Sequence, residues 1–422
     1  MWSYLRAIRF DVLLKTTLVT TFAMGAIASA NEPIKIGVIA PAAHIIGRSI
    51  FQGAEMAADE INQAGGVNGR QIELYPYDAK GSPTDAVRAF QRLGQRDQVH
   101  AVVGTFISEV SLALAPWSAR MKLPFLVTGS AAPEITKRVH DDYDSYKYLF
   151  HHYENSIFIA ESVCDSSKPL FVDGLGYKTA VILSEEAAWT TPVDETYLKC
   201  LPEIGLEIVD HIRFSPQTQD FGPLFNRIER TNADLIITAM AHVGVAPVVQ
   251  WKQNEVPVFL AGVSGQAGSS SFWDNTNKAA DGVITLSAGA GGAALSPKTP
   301  KFYQAYIDRF KEEPAYASYT TYDSVYTLKA AFEKANSNDA DDLVAAIEET
   351  DMEGVLGQVQ FYPKGHQHAH GLKYGKGLVT GLAFQWQSDG KGGGKQVVLW
   401  PEEVAQGELQ VPSFVKSGKG KN

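Results

Sequence analysis

Three groups of residues in this chain have the types and spacing to do chemistry. His366, His368 and His370 alternate with Gln367 and Ala369. On an extended strand these three imidazoles would share one face, as zinc or copper ligands do. The flanking Gly365 and Gly371 point instead to a solvated loop, so the set is a weak metal candidate and no cofactor is expected. Cys164 and Cys200 are the only two cysteines, and an oxidising compartment leaves them either bridged or as two thiols. The third group is a set of small-residue turns: Gly104-Thr105-Phe106-Ile107-Ser108, Thr128-Gly129-Ser130-Ala131 and Gly262-Val263-Ser264-Gly265. Ser108 is placed to N-cap the helix that follows, and free N–H groups at a helix start attract an anion. The chain has no nucleophile elbow, P-loop, HExxH or dinucleotide-binding glycine pattern, so it does not read as an enzyme.

The turns take their meaning from the elements around them. Residues 34–40 form a short Ile/Val run, as expected of a strand buried on both faces. A helix follows with Ile50, Ala54, Ala57, Ala58 and Ile61 on one side, then a strand over 71–78. Ser82-Pro83-Thr84-Asp85 reads as a helix start with Ser82 as the cap. A strand over 99–104, a helix over 109–121 and a strand over 124–128 continue the alternation. The same grammar restarts with strands over 178–184, 206–214, 234–239 and 256–261 separated by helices. Three helices near 300–312, 317–335 and 339–350 and a set of short strands complete the chain. This pattern predicts an α/β protein of two doubly wound parallel-sheet lobes. Ligands of such sheets bind beyond the carboxyl ends of the strands, where the small-residue turns lie. Cys164 falls in the helix before the 178–184 strand and Cys200 in the helix after it, and helices flanking one strand can lie side by side.

The N-terminus is expected to be a targeting segment. Arg6, Arg9 and Lys15 precede an apolar stretch over 18–27, and Ala28-Ser29-Ala30 offers a cleavage site after about Ala30. The expected location is therefore the periplasm. The chain has 422 residues with 45% hydrophobic and 20% charged, enough for more than one core. Its net charge of −10 argues against nucleic acid or anionic lipid as a partner.

Blocks of the sequence resemble the leucine/isoleucine/valine-binding family of periplasmic solute-binding proteins. They include "GAEMAADEINQAGGVNGRQIELYPYDAKGSPTDAVRAFQRL" (53–93), "VVGTFISEVSLALAPWSARMKLPFLVTGSAAPEIT" (102–136), "PAYASYTTYDSVYTLKAAFEKA" (314–335) and "VVLWPEEVAQGELQVP" (397–412). The resemblance implies a type I periplasmic-binding fold with three hinge crossings and delivery of a small solute to the permease subunits of an ABC importer. On that basis 31–150 plus 287–356 is expected as lobe 1, 151–286 plus 357–412 as lobe 2, and 413–422 as a flexible tail, in a monomer. A ligand-sensing receptor of a regulator is the competing reading of the same fold.

The resemblance also implies which residues meet the ligand. Ser108 matches the hydroxyl-and-amide grip on the ligand carboxylate, with Ser130 and Ala131 in the turn that adds the second hydroxyl. Ile46 and Trp189 stand where the family carries tyrosines, and Ala241 replaces the third aromatic, beside His242. The acid that would meet a ligand ammonium is missing from 262–265, where Ser264 is the polar residue. The cleft is therefore expected to favour an apolar or aromatic carboxylate over leucine. The exception would be a relocated acid, with Glu185 or Glu186 as candidates.

Overall fold

The computed structural model describes residues 32–269 and 271–418, so the expected targeting segment lies outside the described residues. Five parallel strands form the first sheet: β1 (Ile34–Ala40), β2 (Ile72–Asp78), β3 (Ala101–Gly104), β4 (Phe125–Val127) and β5 (Leu149–His151). Their spatial order is β2-β1-β3-β4-β5. The second sheet repeats the plan with β6 (Thr179–Glu185), β7 (Glu207–Phe214), β8 (Leu235–Met240) and β9 (Phe259–Ser264) in the order β7-β6-β8-β9, again all parallel. The central strands are buried along their whole length, as helices on both faces require.

The helices follow local signals. Ser82 caps the helix Pro83–Arg92, its hydroxyl accepting from the Asp85 N–H at 3.3 Å. The helix Ile45–Gln63 buries Ile50, Ala54, Ala57 and Ile61 against the helix Tyr316–Ala335. The small residues of this stripe let the two helices approach closely, and the second helix is buried almost throughout. Cys164 and Cys200 form a disulfide between the helices Ser156–Ser167 and Thr190–Glu203, with 6.0 Å between their Cα atoms.

Beyond the second sheet, β10 (Ile284–Ser287) heads an antiparallel three-stranded sheet. Between its strands in the chain comes a two-stranded hairpin of β11 (Asp351–Glu353) and β12 (Gln358–Gln360). β13 (Leu382–Ser388) and β14 (Gly394–Trp400) complete the antiparallel sheet.

Several contacts differ from the sequence reading. Residues 361–372 were expected with the second lobe, but they hydrogen-bond to the first sheet: His151 N–H donates to His370 O at 2.9 Å and Leu372 N–H to His151 O at 2.9 Å. The tail over 413–418, expected to be flexible, is held against the second lobe. Tyr177 Oη donates to Lys416 O at 2.8 Å, Val415 is buried, and the Phe414 ring packs edge-on against Trp251. The last strand of the second sheet runs three residues later than expected, to Ser264. Among the described residues no helix is long and apolar enough to cross a membrane.

Candidate ligand-binding site

Both sheets reverse their strand order beside their first strand, between β1 and β3 in one and between β6 and β8 in the other. Crevices open at the carboxyl ends of strands at such a reversal. In the first sheet this places Thr105 and Phe106, just past β3, beside the end of β1. In the second, Ser184 pairs with Ala239, so Glu185 ends β6 next to Met240, and His242 follows two residues later. Glycine makes both strand ends possible. Gly104 has φ +128°, and a Cβ there would lie 2.1 Å from Ile39 O. Gly262 has φ +113°, and a Cβ would lie 2.4 Å from Thr238 N. No other residue fits either place.

The two switch points meet face to face. The Phe106 ring stacks on the His242 ring with centroids 5.9 Å apart and planes 28° apart, and His44 lies on the other flank of Phe106 at 5.8 Å. Ala188 N–H donates to Glu109 Oε1 at 2.8 Å, which joins the helix Ser108–Met121 to the second sheet's loop. The Ser156 hydroxyl lies 2.8 Å from Ala131 O and 2.7 Å from Trp189 O, one carbonyl on each side. The segment 152–155 crosses between the lobes directly behind these contacts, and its Tyr153 ring stacks on Tyr316 at 4.9 Å.

The electrostatic centre is Glu185 with His242. Glu185 is fully buried; it lies 2.7 Å from His242 Nδ1 and accepts from His242 N–H at 2.9 Å and from Trp189 Nε1 at 3.2 Å. Burial opposes the Glu185 charge, but the His242 hydrogen bond and charge outweigh it, and the carboxyl pKa is lowered. Burial likewise opposes the charge on His242; its bond to Glu185 prevails and the imidazole pKa is raised. The pair therefore favours carboxylate and imidazolium. His242 Nε2 is buried with no hydrogen-bond partner among the described residues, and so is Thr105 Oγ1. A donor held in this way is suited to an incoming oxyanion.

The residues singled out in the sequence fall in different places. Ser108 is not the N-cap: Ile107 is, and Ser108 opens the helix with its hydroxyl accepting from Ala132 N–H at 3.3 Å. The local pattern could not show that the turn of Ser130 and Ala131 folds back onto that hydroxyl. Ser130 is fully buried and hydrogen-bonds Ser111 Oγ at 2.5 Å and Thr105 O at 3.2 Å. Ala131 lies beside the cleft contacts through its carbonyl. Ile46 is in the first turn of the helix Ile45–Gln63, buried in the same apolar cluster as Phe106 and Tyr316. Ser264 is the last residue of β9 rather than part of a turn, and its N–H donates to Thr285 Oγ1 of β10 at 2.8 Å. Glu186 points outward and is exposed.

The histidine triplet is neither extended nor solvated throughout. His366 stacks on Tyr362 at 4.1 Å, and its Nδ1 accepts from His368 N–H at 3.1 Å. His370 is fully buried, stacked on Phe150 at 4.1 Å and 2.7 Å from Glu348 Oε1. The His366 and His368 rings stay close, with centroids 5.6 Å apart, while His370 turns away into the core. Among the described residues there is no cluster of three or more metal-ligating side chains.

Sequence reasoning missed Tyr153 and Glu154 on the first crossing, and Tyr316, whose hydroxyl donates to Gly129 O at 3.0 Å. Tyr316 sat inside a quoted block without a role. Glu154 carried no local signal.

The periplasmic binding protein family model matches residues 33–379. The Leu/Ile/Val-binding protein homolog 7 of Brucella suis is 26% identical over 400 residues, which is 91% of this chain and 96% of that protein. The fold is also that of an isoleucine-bound branched-chain amino acid transporter binding protein from Streptococcus pneumoniae: TM-score 0.72, 21% identity, 87% of this chain and 100% of that one. A solute-binding protein of Rhodopseudomonas palustris, solved with 3,4-dihydroxybenzoic acid, gives a TM-score of 0.74 at 20% identity over 92% of this chain and 98% of that one. With the family model spanning most of the sequence and the two-sheet fold in agreement, the chain belongs to the periplasmic binding protein family.

Proposed function

We propose that this protein is the extracytoplasmic solute-binding component of an ABC importer of the branched-chain amino acid type. It acts as a monomer in the periplasm after loss of residues 1–30 and docks on the permease subunits. Its lobes are proposed as 32–151 with 288–372 and 156–287 with 382–418, hinged at 152–155, near 288 and near 373–381. The hydrogen bonds of 361–372 to the first sheet support that division. The names of the relatives and the match of the family model support the transport role.

The solute is proposed to carry a carboxylate on an apolar or aromatic body. One observation carries this: the buried His242 Nε2 is held charged by Glu185 and left without a partner, and Thr105 Oγ1, next in the chain to the Phe106 ring that stacks on His242, is also unpartnered. Phe106, Trp189, Tyr153 and Tyr316 supply the apolar wall. The test is calorimetric titration of refolded, ligand-free protein with aliphatic and aromatic carboxylates, in the wild type and in His242→Gln. A hydrogen bond to a charged group contributes about 1.5–3 kcal/mol, so the variant should bind roughly 10- to 150-fold more weakly. Unchanged affinity in His242→Gln would remove the carboxylate from this end of the cleft.

A further inference from the structure

We propose that Glu154, on the first crossing between the lobes, is a second polar anchor of the cleft and takes a protonated nitrogen of the bound solute. This rests on the reading of the cleft given above. It changes the expected ligand from a simple carboxylate to one that also bears an amine, because it supplies the acid that residues 262–265 lack.

Three observations carry the assignment. The first is position. Glu154 lies between Tyr153, whose ring stacks on Tyr316, and Ser156, whose hydroxyl joins Ala131 O to Trp189 O. The Tyr316 phenol, pushed up first by burial, is pushed further by the charges of both Glu154 and Glu185, so both acids lie near this ring. The second is burial without a partner. Glu154 is 2% exposed, and its Oε1 has no hydrogen bond among the described residues. The Tyr316 hydroxyl proton is directed to Gly129 O, and the His242 charge is matched by Glu185. The third is contrast with another buried acid. Asp323 is equally enclosed, and both its oxygens accept from Val355 N–H, at 2.9 and 3.0 Å. That is a carboxylate used for structure. Glu154 has no such use, and a buried polar atom left open calls for a partner from outside the chain.

The proton balance follows. Burial raises the Glu154 carboxyl to about 8, so at pH 7 without a cation it carries its proton. Its ionisable neighbours are the phenols of Tyr153, Tyr316 and Tyr374, all neutral at that pH. Seating an ammonium restores the carboxylate and releases one proton to solvent.

The experiment uses the refolded, ligand-free chain and three pairs of probes that differ only by an amine. They are L-leucine with 4-methylpentanoate, L-phenylalanine with 3-phenylpropanoate, and 4-(aminomethyl)benzoate with 4-methylbenzoate. Titrations run at pH 7 in buffers of differing ionisation enthalpy. The proposal expects the amine-bearing member of at least one pair to bind tenfold or more tighter than its partner, with release of up to one proton. Glu154→Gln should reduce that ratio to near one and abolish the proton release, while binding of the amine-free member changes little. Glu154→Asp, which keeps the charge, should retain part of the ratio, and it serves as the reading if Glu154→Gln does not fold. Amine-free probes that bind as well as or better than their partners would overturn the role of Glu154 and leave the carboxylate site standing. So would a ratio untouched by Glu154→Gln. Binding by none of the six would overturn both.

Discussion

His151 and His242 both lie at or just past the carboxyl ends of strands, one in each lobe, and the protein gives them different charge states. His151 ends β5 of the first sheet with Nε2 2.5 Å from Ser130 O, and beside it His152 Nε2 is 3.3 Å from Thr327 Oγ1. Burial without an acid lowers both to about 4, so they are neutral. His242 is also largely buried, yet Glu185 raises its pKa. The first lobe thus carries neutral imidazoles that meet its own Ser130 and Thr327, and one unpartnered hydroxyl, Thr105 Oγ1. The second carries an ion pair that has one donor left over. The difference shows that burial alone does not set a histidine's role; what decides it is whether an acid is buried with it.

The comparison can be broken first by acid. A histidine whose folded pKa is lowered contributes stability above about pH 6.5 that is lost as pH falls toward its folded value. For His151 and His152 the loss should be on the order of 3 kcal/mol each by pH 4, by the linkage relation for a fall from 6.5 to about 4. Chemical denaturation across pH 7 to 4 should show it, with proton uptake on unfolding; a flat profile would mean that these rings are not held neutral. The Glu185–His242 pair behaves the other way. The raised His242 pKa gives stability present below about 6.5 and lost as pH rises through its folded value, and the lowered Glu185 pKa gives stability present above about 4.5 and lost in stronger acid. In His242→Gln the stability lost between pH 6 and 8 should therefore shrink.

Next in size is His242→Ala, which leaves Glu185 buried with two N–H donors and no charge. Loss of one partner of a buried pair costs about 3–5 kcal/mol, and Glu185→Gln in the same chain should recover part of it. Equal stability of the single and double variants would show that the carboxylate is not the cause. Reducing the disulfide between Cys164 and Cys200 should cost about 3–4 kcal/mol for a loop of 36 residues, all in the second lobe. Calorimetry with reductant should then split the melting so that the second lobe unfolds first; a single shifted transition would show that the lobes unfold together. The smallest effect belongs to Ser108→Ala. Its hydroxyl accepts the buried Ala132 N–H, so the loss should be about 1–3 kcal/mol of stability. Loss of affinity with stability unchanged would return Ser108 to the ligand.

Much of the fold was legible because parallel sheets write themselves locally. Buried strands such as 34–40 are apolar on both faces, helices such as 83–92 open on a capping serine, and neither needs knowledge of distant residues. The candidate site was legible only in part. Trp189 and His242 were found through the resemblance to the leucine/isoleucine/valine-binding family, and Glu185 was named among the acids able to reach the cleft. Glu154 was not found, because an acid in a crossing segment looks like any solvated loop residue until the chain on both sides is packed against it.

The sequence by itself determined the alternation of strands and helices, the small-residue turns after β3 and β4, and the one pair of cysteines able to bridge. These depend on periodicity and residue type over a few positions. Only the tertiary structure decided which imidazoles carry charge, that His370 is buried against Glu348 instead of facing a metal with His366 and His368, and that Glu154 stands enclosed behind Tyr316. Those outcomes depend on the burial of one group and the charge of another far away in the chain, and both arise only when the two lobes and their crossings come together.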